Sequence, residues 1–517
     1  MPENTTPSRR TRLLGGGAGL LAATAAVTTS QAVATLLDGV TSPLVAVANR
    51  AVDEAPRPVK EWAIETFGTA DKPVLIGGVI AAVALLAIVA GVAGVRRPRL
   101  AVGLFLVLAG IATAAAVADR AATAGAALRL VPAIVLVVVG LVSLVVLLRA
   151  LGARPGGRSS APATDRRALL LGAAAVAGIA AVGGLVARSF NDLAAAASRA
   201  GVRLPRPAEP APPVPEGVSV GVRGVTPYLT DNDDFYRVDT ALQVPDVPVD
   251  GWRLRVHGMV DRELSLTFDD LLARELVESR ITLTCVSNPV GGEYLGNATW
   301  LGVPIHELLA EAGVKPGADA VRSRSADDFT AGTPLSVLTD PERGALVAVG
   351  MNGSPLPLAH GFPARMVTPG LYGYVSATKW LVELEVTRFA DFKAYWTTRG
   401  YAAEAPIKTS SRIDVPRSFA RVDAGRVPVA GVAWAQTRGI AKVEVRVDRG
   451  DWHEATLGAR DTVDTWRQWV WQWDATPGNH LLEVRATDAT GATQTGARAP
   501  IAPDGSTGWH SVNVSVA

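Results

Sequence analysis

Apolar residues are spread very unevenly along this chain. Five runs, Leu13–Leu37, Pro73–Val95, Leu100–Ala118, Leu130–Leu148 and Ala168–Ala187, contain no Asp, Glu, Lys or Arg. Each is about as long as the ~20 helical residues that cross a bilayer core. One such run could be a buried helix of a soluble domain, but five in succession predict transmembrane helices. The first could also serve as a signal sequence, with Ala32-Val33-Ala34 as a cleavage site, although its apolar run is long for that role.

Beyond residue 190 the pattern changes. Residues 199–217, RAGVRLPRPAEPAPPVPEG, are dense in proline and predict an extended spacer. From about Val225, helical and alternating patterns mix without a regular βαβ rhythm. Trp252–Gly258 alternates as a strand does. Phe268–Glu278 reads as a helix capped by Thr267, and Ile281–Cys285 as the central strand. Pro304–Ala312 reads as a second helix. Ala345–Met351, Arg365–Thr368 and Trp380–Val386 read as further strands, with a tight turn at Asn352-Gly353. After residue 410 only strand patterns remain: Val427–Trp434, Ala441–Asp448, Trp469–Trp473, His480–Thr487 and His510–Val516. The expected fold is a bundle of about five transmembrane helices (1–190), a proline-rich linker (191–224), an α+β domain (225–410) and an immunoglobulin-like β-sandwich (411–517). Trp466, Trp469, Trp471 and Trp473 read as filling for the sandwich core, with an interface as the second choice.

Charge adds direction. The net charge of +2 argues against a nucleic-acid partner. Arg9, Arg10 and Arg12 precede the first run, and Arg96, Arg97 and Arg99 follow the second. Arg149, Arg154, Arg158, Arg166 and Arg167 lie between the fourth and fifth. Basic residues favour the inner face of a membrane, so the amino terminus is expected inside and everything after residue 190 outside. Asp165-Arg166-Arg167-Ala168-Leu169-Leu170 resembles a twin-arginine export signal placed internally. All six histidines (His257, His306, His360, His453, His480 and His510) lie beyond the apolar runs, which also lack cysteine. The membrane part therefore offers no usual ligand for haem or an iron–sulfur cluster, and none is expected in this chain.

Chemistry concentrates at Ile281–Trp300, ITLTCVSNPVGGEYLGNATW. Its strand pattern ends on Cys285, the chain's one cysteine, followed by the turn residues Asn288-Pro289 and Gly291-Gly292. A lone cysteine is by default a small buried hydrophobe. A strand-end thiol facing a glycine-bearing loop in an exported domain suits a soft-metal ligand or a nucleophile better.

From Phe235 onward a series of short motifs occurs in order: Phe235-Tyr236-Arg237, Thr284-Cys285 with Asn288, and Trp300-Leu301-Gly302. Met351-Asn352-Gly353 with Pro355-Leu356-Pro357 follows, then His360-Gly361-Phe362-Pro363-x-Arg365. Pro369-Gly370, Gly373, Lys379-Trp380-Leu381 and Trp396-x-x-Arg399-Gly400-Tyr401 complete the series. In these motifs the chain resembles the sulfite oxidase family of molybdopterin oxidoreductases. Gly431–Trp434 and Trp509-His510 extend the resemblance into the last domain, which in the family mediates dimerisation. The resemblance implies a molybdenum–molybdopterin cofactor with Cys285 as thiolate ligand. It implies Tyr401 beside the reacting oxygen, Arg237 toward an oxyanion, and Tyr236, Asn288, His360, Arg365 and Lys379 around the pterin. It also implies a small oxo substrate, a separate haem or quinone-linked electron partner and a possible homodimer.

Two departures bear on substrate. The basic residues that sulfite-oxidising members carry after the cysteine are Pro289 and Val290 here. The R-N-H of the family is Arg237-Val238-Asp239, so a carboxylate stands where a histidine is usual. Fewer cations make a neutral S-oxide or N-oxide a fuller competitor to sulfite. Two other classes fit the cysteine: a metal-free binding or scaffold protein that keeps the fold, and a thiol hydrolase, which would need a histidine beside Cys285.

Overall fold

A computed structural model describes residues 9–517 except 38–39, 57–58, 60–65, 67–70, 120–124, 152–165 and 242–243. Arg154, Arg158 and Asp165, invoked above, lie outside the described residues. The chain divides into two compact units, Met1–Ala197 with Thr240–Asp246, and Ser198–Asp239 with Val247–Ala517.

Among the described residues, the first unit holds five helices long and apolar enough to cross a membrane: Arg9–Thr35, Val74–Gly94, Pro98–Val117, Ala126–Ala150 and Arg167–Val186. A shorter helix, Pro43–Glu54, begins where Ser42 Oγ accepts the Val45 N–H at 3.4 Å. Small residues let the long helices approach closely. A Cβ on Gly19 would overlap the Ala87 carbonyl, and one on Gly91 the Gly15 carbonyl. Pro132 inside Ala126–Ala150 leaves part of the helix ladder unpaired, and its own carbonyl accepts Ser30 Oγ–H at 2.8 Å.

The second unit opens with ten strands: β1 (Arg253–Gly258), β2 (Leu264–Thr267), β3 (Val277–Thr284), β4 (Leu295–Pro304), β5 (Ala320–Ser325), β6 (Thr330–Pro334), β7 (Leu346–Met351), β8 (Ser354–Pro355), β9 (Arg365–Val367) and β10 (Leu381–Thr387). They form two sheets, ordered β2-β1-β10-β5-β6 and β3-β4-β7-β8, with β9 paired to β7. Leu254, Val256, Leu384 and Val386 of the first sheet bury one core with Val303, Val347, Val349 and Met366 of the second. The opposite face of the second sheet carries Ile281, Leu283, Ala298, Trp300 and Val367, packed with Phe235 and Phe362.

Two expectations change. The helix begun by Thr267 spans only Phe268–Leu272, although its capping box with Asp270 is present. Pairing of Val277 with Gly302 starts β3 before the helical pattern runs out, so tertiary pairing overrides local preference. The cysteine strand is also not central: β3 lies at the edge of its sheet. The proline-rich stretch runs against this unit, with the Ala208 N–H bonded to Leu276 O at 2.8 Å and the Glu278 N–H to Glu209 O at 2.8 Å.

Nine more strands follow: β11 (Ser410–Val415), β12 (Ala420–Val422), β13 (Gly425–Trp434), β14 (Ile440–Val447), β15 (His453–Glu454), β16 (Thr456–Leu457), β17 (Arg467–Ala475), β18 (Gly478–Asp488) and β19 (His510–Val516). Their sheets run β11-β13-β17-β16 and β12-β19-β18-β14-β15. Ile413, Val429, Trp469 and Trp473 from one meet Val443, Leu482, Val484 and Val514 from the other in a single buried cluster. Trp469 and Trp473 are core filling as expected. Trp471 is half-buried and stacks on His453, with centroids 5.3 Å apart. Trp466 belongs to a different cluster, with Tyr228, Leu295 and Trp434, where the two β-rich parts join.

That join closes the edge of β3. The Thr282 N–H donates to Asp464 O at 3.0 Å, and Thr282 Oγ accepts the Trp466 N–H at 2.8 Å. Gln436 Nε2 donates to Thr282 O at 2.8 Å and to Thr284 Oγ at 3.2 Å. Arg280 pairs with Asp461, both side chains 4% exposed, and the Tyr228 O–H donates to the same carboxylate at 2.6 Å. Removing one member of a buried pair strands the other charge, at a cost of about 3–5 kcal/mol. Asp461→Ala should therefore lower stability by about that amount in denaturant titration, and Asp461→Asn by less. An unchanged unfolding midpoint for Asp461→Ala would show that the join adds no stability.

Candidate functional site

Cys285 is the first residue after β3 and is 8% exposed. Its N–H donates to Tyr294 O at 2.9 Å, and its Sγ accepts the Ser287 N–H at 3.4 Å. Burial pushes the thiol pKa up, against the opposing pull of the Ser287 contact and the Lys379 charge. The loop behind it is closed by Asn288, whose Oδ1 accepts the Tyr294 N–H at 2.9 Å and whose carbonyl accepts Ser506 Oγ–H at 2.8 Å. Gly291 has φ +79, and a Cβ there would overlap the His510 ring. Arg412 reaches the same loop, donating to Gly292 O at 2.6 Å and to Thr226 Oγ at 2.7 Å.

A buried basic group stands near this thiol. Arg365 donates to His360 O at 3.1 Å, Ala377 O at 3.3 Å and Met366 O at 3.3 Å, and lies 5.0 Å from the Trp300 ring centroid. No carboxylate bonds it among the described residues, and burial lowers its pKa to about 10. Lys379 donates to Asp239 Oδ2 at 2.7 Å and to Ala359 O at 3.1 Å. Burial, partly offset by Asp239, brings its pKa down to about 8. Gly361, with φ +110, lets the chain pass close to both: a Cβ there would lie 3.0 Å from Arg365 Cβ and 3.1 Å from Lys379 Cα. The next residue, Trp380, is held at φ +50 with its Nε1 bonded to Leu358 O at 2.9 Å. Such a backbone costs roughly 1–3 kcal/mol and persists only where packing enforces it.

His360 donates from Nε2 to Asn232 O at 3.1 Å. Burial, and after it the nearby Arg365 and Lys379 charges, take its pKa down to about 4, so it is neutral at pH 7. Its ring meets Phe235 edge-on at 5.5 Å, and Phe235 stacks on Tyr236 at 5.2 Å. The Tyr236 phenol is driven far up by burial, then by Cys285, with Arg365 opposing, which places it in the field of both groups. Arg237 is the most exposed of the set, its side chain 37% accessible, and donates from Nε to Asp239 Oδ2 at 2.9 Å.

Tyr401 is buried in the same cluster as Val286, the neighbour of Cys285, and as Tyr372, Tyr374 and Leu295. Its ring meets Tyr374 at 5.6 Å and Trp396 at 5.2 Å, and Trp396 meets Tyr395 at 5.3 Å. The segment is set beside the Pro369–Gly373 turn by Tyr372 N–H to Ala405 O and Ile407 N–H to Gly370 O, both 2.9 Å.

Cys285, Tyr236, His360, Arg365 and Lys379 are thus linked by bonds or mutual fields. Arg237 joins them through Asp239, Tyr401 through the Val286 cluster, and Asn288 as the staple of the cysteine loop. Sequence reasoning missed Tyr372, whose phenol is raised to about 12 by burial and also feels Cys285. It sits inside the motif already noted at Pro369-Gly370 and Gly373. Ser506 and Arg412 had no legible signal, because their role lies in long-range bonds to loop carbonyls.

Residues 241–396 match the family described as the oxidoreductase molybdopterin binding domain. The chain is 30% identical to the mitochondrial sulfite oxidase of Macaca fascicularis over 343 residues, 56% of this chain and 62% of that protein. It is 30% identical to the sulfite oxidase of Gallus gallus over 322 residues, 53% of this chain and 70% of that one. It is 35% identical to the uncharacterized oxidoreductase YuiH of Bacillus subtilis over 164 residues, 31% of this chain and 79% of that one. The buried thiol, the basic residues behind it and these matches define a domain of the molybdopterin oxidoreductase class. Within that class, the chain belongs to the sulfite oxidase family. It spans 62% of the length of the macaque relative. The residues present fit the family's cofactor: a sheltered thiol suits a soft metal, and Arg365, buried without a carboxylate, suits an anionic group.

Two buried histidines should make the assembly acid-sensitive. His510 Nδ1 accepts the Ile413 N–H at 3.0 Å, and burial lowers its pKa to about 4, as for His360. The unfolded chain, with histidine near 6.5, binds more protons between pH 4 and 6.5 than the folded one does. Stability should therefore fall as pH drops through that window. Thermal midpoints measured from pH 7 to pH 4 should show this, and His510→Asn should flatten the curve. A flat wild-type profile would contradict the burial of both rings.

Proposed function

We propose that the protein is a membrane-anchored molybdenum–molybdopterin oxidoreductase. It performs two-electron oxygen-atom transfer on a small oxo substrate, by sulfite oxidation or S-/N-oxide reduction. One observation carries this reading: the chain's one thiol is buried at a strand end beside buried cations, in a chain of the sulfite oxidase family. When bound, the molybdenum–molybdopterin group supplies two-electron redox change coupled to transfer of oxygen.

The chain's own residues hold and orient. Cys285 Sγ would ligate the metal as a thiolate. Arg365 and Lys379 would hold the anionic end of the cofactor, neutral His360 and Tyr236 would contribute to its site, and Asn288 fixes the loop. Arg237 orients an oxygen of the substrate through its planar guanidinium. The Tyr401 O–H would hold or deliver a proton at the substrate oxygen. Buried aromatic rings around Tyr401 exclude water from the same space.

The five apolar helices anchor the chain in the cytoplasmic membrane. Arginine placement sets the amino terminus inside and residues 225–410, the oxidoreductase domain, outside; the motif at Arg166-Arg167 fits export of a folded domain. Electrons pass to or from a separate haem protein or quinone-linked partner. The two sheets of residues 411–517 are read as an immunoglobulin-like domain able to support a homodimer. The hydrolase reading is disfavoured because the Cys285 thiol is pushed up rather than activated.

Molybdenum measured by mass spectrometry in purified protein should be near one per chain, and severalfold lower in Cys285→Ser. Equal metal in both would remove the ligand. Tyr401→Phe should keep its metal and lose about a hundredfold or more in turnover. A screen of sulfite, sulfoxides, N-oxides and nitrate with artificial donors and acceptors supplies the assay.

A further inference from the structure

A carboxylate sits in the middle of the basic group. Asp239 is 5% exposed at its side chain, and its Oδ2 accepts from both Arg237 Nε at 2.9 Å and Lys379 Nζ at 2.7 Å. Its charge is also felt at Asp327, whose carboxyl is raised chiefly by burial and further by Asp239. The three charges therefore sum to one positive, not two. The cancellation is shared by Lys379 and Arg237, and Arg237 is the more exposed of the two and the one aimed at substrate in the reading above.

We propose that Asp239 is a specificity-determining residue: by occupying Arg237 and Lys379 it turns the site away from dianions such as sulfite and toward neutral oxo compounds, the S-oxide and N-oxide class. The inference rests on the reading that Arg237 faces the substrate oxygen. A dianion approaching Arg237 must either displace Asp239 or stand beside it. Displacement strips Lys379 of its counterion, and standing beside it sets like charges a few ångströms apart in a partly buried site. A neutral acceptor meets neither obstacle. It can take hydrogen bonds from the guanidinium N–H groups while Asp239 stays in place, and the carboxylate then holds Arg237 in orientation. At an effective dielectric near 20, a unit charge about 6 Å away is worth roughly a hundredfold in affinity for a monoanion. Exposure of Arg237 reduces that to about tenfold.

The test uses the full-length protein in detergent and inorganic sulfate as a dianion of sulfite-like shape. Thermal midpoints are followed against sulfate at constant ionic strength made up with chloride, each variant relative to its own sulfate-free value. Wild type should bind sulfate at Arg237 only weakly, in the tens of millimolar, and sub-millimolar wild-type binding that Arg237→Gln abolishes would overturn the proposal. Asp239→Asn should bind about tenfold more tightly. Asp239→His, which keeps a polar group near Lys379, should shift in the same direction and stands in if the first variant folds poorly. The gain should vanish in Asp239→Asn with Arg237→Gln. A change of less than twofold in both single variants overturns the proposal. So does a gain that survives the loss of Arg237, since the new anion would then sit at Lys379 alone. None of these readings needs molybdenum in the protein, so metal content tests the oxidoreductase assignment separately.

Discussion

The open edge of β3 is the constraint on which the rest of the second unit depends. An edge strand presents a row of backbone donors and acceptors, and a buried one left unpaired costs about 1–3 kcal/mol. This strand also leads directly into Cys285, the candidate metal ligand. Residues 436 and 461–466 meet that demand, satisfying Thr282 and Thr284 by hydrogen bonds and Arg280 by a buried ion pair. Ser506, His510 and Arg412 then grip the loop beyond Cys285. The later β-rich part therefore supplies one wall of the cysteine site, which gives it a role whether or not it also joins two copies of the chain.

Electrostatics on the other wall follow a different logic. Arg365 and Lys379 are charged groups taken out of water, and burial alone pulls both toward neutrality. Backbone carbonyls of His360, Met366 and Ala377 surround Arg365 and Ala359 meets Lys379, but carbonyl dipoles only partly replace lost hydration. Trp380 in its left-handed backbone and Gly361 in close approach hold the cations in position. The strain is small against the stabilisation of the surrounding core.

Much of this was legible in the chain. The apolar runs, the strands after residue 425 and the Thr267 cap follow from periodicity and capping chemistry, which are local. The candidate site residues were read from ordered motifs, and the structure links Cys285, Tyr236, His360, Arg365 and Lys379 by bonds or mutual fields. What failed was what no window of sequence contains. The helix after Thr267 stops early because Val277 finds Gly302 as its partner. The position of β3 in its sheet is set by β4 and by the loop around Asp464, more than 180 residues away. Asp239 could be seen as a departure from the family pattern, but not that its carboxylate would bind Lys379, 140 residues later.

The grip of Ser506 and His510 on the cysteine loop has a consequence for how the molecule comes into being. Residues more than 200 positions downstream of Cys285 complete the wall behind it. A ribosome that has just finished β10 has made every residue of the basic pocket, yet the strand bearing the sulfur still has a bare flank. Final shaping of the pocket is thus a later event in biosynthesis, postponed until residues 506–510 have emerged. A cell that filled the site earlier would be working on an unfinished mould.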